Sequence, residues 1–491
     1  MKTKTIKALA LIALTTSFSS CNSQDIKQTE ATKPTDPSGI TNAEVPLFTN
    51  VDKMLTRLES QGFNGAVIVA DENGFLSKGY GWADKEAKIK NTPNTAFCIG
   101  SITKSFTGAA LLKLEMQGKL SVNDLLSKYI KNVPTDKKDI TLHHLLTHSS
   151  GLPPAIGQDY EVLGKEDFLV RAFKIKLLFA PGTKYEYSNV GYSVLAAVIE
   201  QVSGQSYEEY LNANLFKPAE MTQTGYTMPK WDSKNIAVGY EGNSRWGKPN
   251  EQKWDAKAPY WNLLGNGGIL STAEDMYKWH KALLTDKVLN EDAKAKYYGR
   301  HVEEGEGAGS YYGYGVVSFP TPRKTWLTAH NGSNGIFYAA FMRYITEKVT
   351  IIFLTNQLLD GIREVPQEIA LHKFKEGYVS EHNITAPKQL SGLTDHAHNK
   401  LILEFINVVS DGNDKAIEKF VDANLTPELK NAAPMNAHIG MFKQVGGDIK
   451  GKKIKSVMVA GSKTKIGFEG TPILLNLHIE NGLIGGIGLG D

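Results

Sequence analysis

The sequence predicts a mixed α/β chain of the α+β kind, folded as two blocks of unequal size. Three observations lead there. Strand-like pairs stand at both ends of residues 46–378, with helical periodicity between them. Residues 393–491 carry a smaller mixture, helices first and strands after. The 491 residues also exceed one ordinary core, because domains run to roughly 100–200 residues.

In the first block, Ala66–Ala70, the turn-like Asp71-Glu72-Asn73-Gly74 and Phe75–Trp82 read as a β-hairpin. Gly335–Tyr344 and Val349–Asn356 form a second strand pair about Thr346-Glu347-Lys348. One sheet must therefore be assembled from both ends of the block. After Asn189, the residues Val190, Val194, Leu195, Val198, Ile199 and Val202 share one helical face, and Gly204 stops the run. Ser206 and Glu209 then restart a helix as a capping box. Residues 379–392 read as a linker. Beyond it, Leu401–Val409 and Ala416–Val421 read as amphipathic helices. Lys455–Ala460, Lys465–Phe468, Ile473–Ile479 and Leu483–Leu489 follow as strands.

The N-terminus combines Lys2, Lys4 and Lys7 with the apolar run Ala8–Leu14. That run is far short of the ~20 apolar residues a spanning helix needs, so residues 1–20 read as a signal peptide. Phe18-Ser19-Ser20-Cys21 resembles a bacterial lipobox. The resemblance implies lipidation of Cys21, with residues 21–45 as a flexible tether. The protein would then be exported, a periplasmic or outer-membrane lipoprotein held at a membrane surface. The alternative is an ordinary secretory leader with an incidental cysteine. With 55 basic and 52 acidic residues the formal charge is +3, and it falls to zero without the three leader lysines. No long Lys/Arg run appears, which sets nucleic acid aside as a partner. The other cysteine, Cys98, reads as a small buried hydrophobe and not as a catalytic thiol.

Chemistry concentrates in three short segments. In Ser101-Ile102-Thr103-Lys104 a helix would put the lysine amine one turn from the serine hydroxyl, and a serine needs such a neighbour to become a nucleophile. The spacing recurs at Ser462-Lys463-Thr464-Lys465, but there it falls between strands, where residues three apart point to opposite faces. Tyr187-Ser188-Asn189 offers a phenol able to move protons and an amide able to hold a carbonyl or the lysine. Tyr-x-Asn also occurs at Tyr210, inside an amphipathic helix, and at Tyr260, in a loop-like stretch that stays open. In His330-Asn331-Gly332-Ser333 the glycine lets the backbone come close to a ligand.

In this order, 86 and 143 residues apart, the three segments resemble the serine β-lactamase and penicillin-binding-protein superfamily, in its class C-like hydrolase and esterase branch. Three further stretches are similar to the same family: Ile140–Pro153, Pro181-Gly182 with Tyr187–Tyr192, and Gly267–Met276. The resemblance implies an antiparallel sheet flanked by helices, with an all-helical subdomain. It implies Ser101 as acylated nucleophile, Lys104 and Tyr187 sharing the base role, and the phenol also protonating the leaving group. Asn189 would position the substrate, His330 would line the pocket opposite, and Gly332 would admit the backbone. The N–H groups of Ser101 and Ser333 would form an oxyanion hole. Many β-lactamases and cell-wall peptidases carry lysine where this chain has His330. A mostly neutral imidazole grips a carboxylate weakly, so the expected lean is toward esters or small amides.

The rest of the chain adds exclusions. His144 and His148 have metal-binding spacing but lack the glutamate of a metalloprotease motif. His396 and His398 read as solvated linker histidines. No metal and no cofactor is expected. No Gly-x-Ser-x-Gly occurs, which argues against an α/β-hydrolase elbow. Tyr311-Tyr312-Gly313-Tyr314 could line a pocket or simply pack. The element order of 393–491 resembles the cone-shaped ketosteroid-isomerase-like fold, with a role as lid, dimer contact or docking module for an unknown protein partner. Two functions remain: a serine hydrolase on esters, D-amino-acid peptides or β-lactams, or a non-catalytic ligand-binding sensor on the same fold.

Overall fold

The computed structural model describes residues 46–242, 244–251, 260–385, 388–471 and 473–490. The proposed leader, Cys21 and the tether lie outside the described residues. Among the described residues no helix is long and apolar enough to cross a membrane. The chain divides between 386 and 387 into two compact units.

The first unit is built on eight strands: β1 (Gly65–Asp71), β2 (Gly74–Tyr80), β3 (Val302–Glu303), β4 (Tyr311–Tyr312), β5 (Val317–Pro320), β6 (Trp326–Ser333), β7 (Tyr338–Tyr344) and β8 (Val349–Thr355). They form one antiparallel sheet in the order β2-β1-β8-β7-β6-β5-β4-β3. The two ends of the block meet where β1 pairs with β8, from Gly65 opposite Thr355 to Ala70 opposite Thr350. Alternate residues enter different cores. Val67, Val69, Ile351 and Phe353 face one side, and Ala66, Ile68, Ile352 and Leu354 face the other. Burial on both faces is why β8 reads as a nearly unbroken apolar run.

Six of its helices matter here: α1 (Pro46–Ser60), α2 (Thr103–Met116), α3 (Leu142–Leu146), α4 (Asn189–Ser203), α5 (Ala273–Leu283) and α6 (Val365–Phe374). Leu55 and Leu58 of α1 and Ile369 of α6 cover one face of the sheet. Met276 and Trp279 of α5 belong to the core on the other face, which also takes in α2 and α4. The antiparallel sheet between helical layers is the architecture the sequence predicts. Helix α2 is buried from Thr103 to Leu112, its polar residues included, as Ser105 Oγ donates to Ile102 O and Thr107 Oγ1 to Gly265 O. Helix α4 starts where Ser188 Oγ accepts from Gly191 N at 3.1 Å and stops at Gly204, in the left-handed region at φ +71°.

The second unit holds β9 (Lys388–Leu390), β10 (Ile454–Ala460), β11 (Lys463–Phe468), β12 (Leu474–Glu480) and β13 (Leu483–Gly490), antiparallel and in sequence order. Helices α7 (Asn399–Asp411), α8 (Asp414–Asn424) and α9 (Met435–Ile449) supply a core in which Phe405, Phe420 and Phe442 pack ring to ring. Two expectations change. The stretch 379–392 is not a bare linker: Arg57 binds Ser380 O and Thr385 bridges to Asp360 in the first unit, whereas β9 edges the second sheet. His396 is buried and not solvated, its Nε2 bonded to Thr464 Oγ1 at 2.8 Å. Residues Lys463–Phe468 are a strand, so Lys465 never stands one helical turn from Ser462.

Candidate active site

Ser101 sits in a tight turn, Gly100–Ile102, that leads directly into α2. One turn on, the buried Lys104 directs its amine back to the serine. Lys104 Nζ lies 3.1 Å from Ser101 Oγ, 2.8 Å from Asn189 Oδ1 and 2.7 Å from the carbonyl oxygen of Asn266. Burial holds the lysine pKa well below its usual range, with the Asp159 carboxylate pulling the other way. A neutral amine has two N–H bonds and one lone pair. The two carbonyl oxygens can only accept, so they take the two hydrogens. In that neutral form the lone pair would point to the one partner able to donate, the Ser101 hydroxyl; as an ammonium Lys104 donates to the serine oxygen.

Asn189 opens α4, and Tyr187 precedes it on the extended approach. The Tyr187 ring lies 4.7 Å from Lys104 Nζ and 4.2 Å from the imidazole of His148. Burial pushes its pKa up, against opposing polar contacts with Ser101 and Tyr312. The phenol is thus a proton donor at neutral pH, not a ready phenolate. The rival Tyr-x-Asn pairs do not reach the lysine: Tyr210 is packed in the core, and Asn262 Nδ2 binds Gln158 O and Glu161.

The third segment is the end of β6, and two glycines bring it against the serine turn. A Cβ on Gly332 would stand 2.0 Å from Ile99 O and 2.6 Å from Ser101 N, and one on Gly100 would stand 2.5 Å from Ser333 N. Only with both side chains absent can the N–H groups of Ser101 and Ser333 come to lie side by side. Ser333 Oγ is committed to its own turn, donating to Phe337 O at 2.9 Å. His330 is buried, and burial beside Lys104 takes its pKa down to about 4.

Some residues of the site take roles the sequence did not give them. Tyr312 bonds His330 Nε2 at 3.1 Å. His148, at φ +58° past the end of α3, accepts from Ser188 N through Nδ1 at 3.0 Å and packs against Tyr187, Tyr192 and Tyr312. It therefore shares no helix face with His144, whose ring caps Thr141. Asn266 contributes a main-chain oxygen, which no side-chain motif announces. Cys98 is buried with its thiol pKa pushed up to about 11, so it stays protonated. Ser101, Tyr187, His330, Asn331, Gly332 and Ser333 border a cavity of about 550 Å³.

Comparison with known proteins places the chain in a family. Residues 51–371 match the protein family described as Beta-lactamase. The chain belongs to the β-lactamase family. Protein flp of Staphylococcus aureus is 35% identical over 230 residues, which is 44% of this chain and 45% of that protein. The match thus spans less than half the length of this curated relative. PbpX of Bacillus subtilis is 33% identical over 275 residues, 55% of this chain and 65% of that protein. The solved penicillin-binding protein of Bacillus halodurans superposes with a TM-score of 0.57 at 29% identity, covering 65% of this chain and 99% of that one. FmtA of Staphylococcus aureus superposes with a TM-score of 0.58 at 28% identity, covering 72% and 92%. This β-lactamase-family chain thus shares the penicillin-binding-protein architecture and a serine-hydrolase type of family, with a small C-terminal sheet unit besides.

Proposed function

We propose that the first unit is a class C-like serine hydrolase that forms an acyl-enzyme on Ser101 from small esters or amides. The observation that carries this reading is the Lys104 amine, 3.1 Å from the serine oxygen and bonded to two obligate acceptors. Ser101 Oγ attacks the carbonyl carbon while its proton passes to the Lys104 lone pair. The carbonyl electrons move to oxygen, which takes hydrogen bonds from the N–H groups of Ser101 and Ser333. Collapse of the adduct breaks the bond to the leaving group, and Tyr187 supplies the proton that group needs. The Lys104 ammonium then returns a proton to the phenolate. Water releases the acid and restores the hydroxyl.

The test is a covalent one. A fluorophosphonate should label the full chain at one site, with Ser101 as the modified residue by peptide mass, and Ser101→Ala should abolish both label and turnover of p-nitrophenyl esters. Reversible binding of these reagents with no adduct would overturn the reading in favour of a ligand sensor. We propose in addition that Cys21 carries a lipid anchor, on the lipobox-like Phe18-Ser19-Ser20-Cys21. Cys21→Ala should move the protein from the membrane fraction to the soluble one, and an unchanged distribution would refute the anchor.

A further inference from the structure

We infer that Glu304 makes the cavity beside Ser101 selective for cationic substrates, esters or amides that carry an ammonium group on the acyl part or on the leaving group. The inference rests on the hydrolase reading above and narrows it. Among the described residues bordering the cavity, Glu304 is the only Asp, Glu, Lys or Arg. The remaining wall is neutral, with Asn331 and apolar side chains such as Val317, Leu327 and Met342.

Glu304 is held in place without being neutralised. Tyr185 donates its hydroxyl to Glu304 Oε1 at 3.1 Å, and Glu304 N donates to Ser310 O at 3.0 Å to close the turn that presents it. Tyr185 stands two residues before Tyr187, so the carboxylate is tied to the segment that delivers the phenol. No Lys, Arg or His among the described residues pairs with it. The negative charge is felt at the centre of the site, where it helps to raise the Tyr187 pKa.

No Lys or Arg among the described lining residues offsets that charge; the arginines behind the wall stand over ring faces at its far end, Arg323 at 5.5 Å from Tyr344 and paired with Glu347, Arg363 at 5.4 Å from Tyr338. The Lys104 amine is committed behind Ser101 to Asn189 and Asn266. Both nitrogens of His330 are bonded to the protein. Beside Glu304 a substrate carboxylate would meet a carboxylate and no lining Lys or Arg, whereas an ammonium would meet an acid with no Lys, Arg or His paired to it. Like charges facing each other in a partly desolvated site are strongly disfavoured, and opposite ones fix orientation.

The experiment compares substrates matched in shape. One arm pairs the p-nitrophenyl esters of alanine and propionic acid, the other butyrylcholine and 3,3-dimethylbutyl butyrate. In each, kcat/KM is read as a ratio of cationic to neutral substrate, so a general loss of activity cancels. At least one arm should show a ratio above about ten in the native chain, and which arm responds tells where the charge sits. Glu304→Gln should lower that ratio about tenfold, Glu304→Asp should keep most of it, and added salt should compress it. A native ratio of one or less in both arms, or a ratio untouched by Glu304→Gln, would overturn the inference. Turnover of the neutral esters then still upholds the hydrolase. No turnover and no fluorophosphonate adduct would overturn both.

Discussion

The hydroxyl of Tyr312 lies 3.1 Å from Nε2 of His330, and Nδ1 of the same ring lies 2.6 Å from the carbonyl oxygen of Asn331. A carbonyl only accepts, so Nδ1 carries the ring hydrogen and Nε2 accepts from the phenol. Each nitrogen has a protein partner. With its pKa taken down to about 4 by burial, the imidazole stays neutral at physiological pH. The lysine common at this place in the family would instead contribute a permanent charge.

Substrates that depend on a carboxylate should accordingly be poor. The kcat/KM for a cephalosporin should fall well below about 10⁶ M⁻¹s⁻¹, a middling value for enzymes at large. His330→Lys should raise it at least tenfold relative to a neutral ester. A native value near that figure would refute the account of the pocket's charge.

Lys104 and Tyr187 should separate by the substrates they affect. Lys104→Met should lower kcat/KM about 10²- to 10⁴-fold on every ester, the usual worth of a positioned base. Tyr187→Phe should cost far more with an alkyl alcohol as leaving group than with p-nitrophenol, which departs without a proton. Equal losses on both would make the phenol the base. Because the amine acts unprotonated, kcat/KM should rise with pH through a pKa well below the usual lysine value of about 10.4.

Much of this site was legible because its chemistry is carried by local patterns. Ser101 and Lys104 are one helical turn apart, and a helix that ends at Gly204 declares its start at Ser188. The strand pairs at the two ends of the first block were legible from their composition and turns, and their distance along the chain required one sheet built from both. What stayed hidden depends on convergence in space. Tyr312 was legible only as pocket lining or packing, because it sits in a two-residue strand too short for any periodicity to tell its partner. His148 turns inward only because its backbone is left-handed at φ +58°. Helix α9 contains Gly440, Gly446 and Gly447, which dilute its apolar stripe, and a Cβ on Gly446 would stand 1.8 Å from Val409 O. A close helix crossing explains that glycine only after the fold is known.

Gly332→Ala should disable the site without unfolding the sheet. The added methyl would press on Ile99 O and Ser101 N, driving the serine turn away from β6 and pulling the two N–H groups apart. Loss of such donors costs about 10²- to 10³-fold in kcat. Fluorophosphonate labelling should slow by a similar factor while far-UV circular dichroism stays native. A labelling rate equal to the native one would show that β6 takes no part in stabilising the oxyanion.

Acid should destabilise the first unit earlier than its carboxylates alone would. Burial takes the pKa of His143 to about 4, His280 to about 3 and His330 to about 4, and holds His148 well below its usual value. The unfolded chain takes up a proton on each histidine as pH falls through about 6.5, whereas the folded chain refuses it until the depressed pKa is reached. Stability is therefore intact above that window and lost as pH falls across it, by up to about 1.4 kcal/mol per pH unit for each histidine. His280 is a clean probe because it bonds Arg343 and Thr350 on the sheet and not the serine. In urea titrations from pH 7 to 4, His280→Gln should flatten the decline by about one proton's worth. Parallel declines in the two proteins would mean that His280 is not the neutral, buried ring that its surroundings dictate.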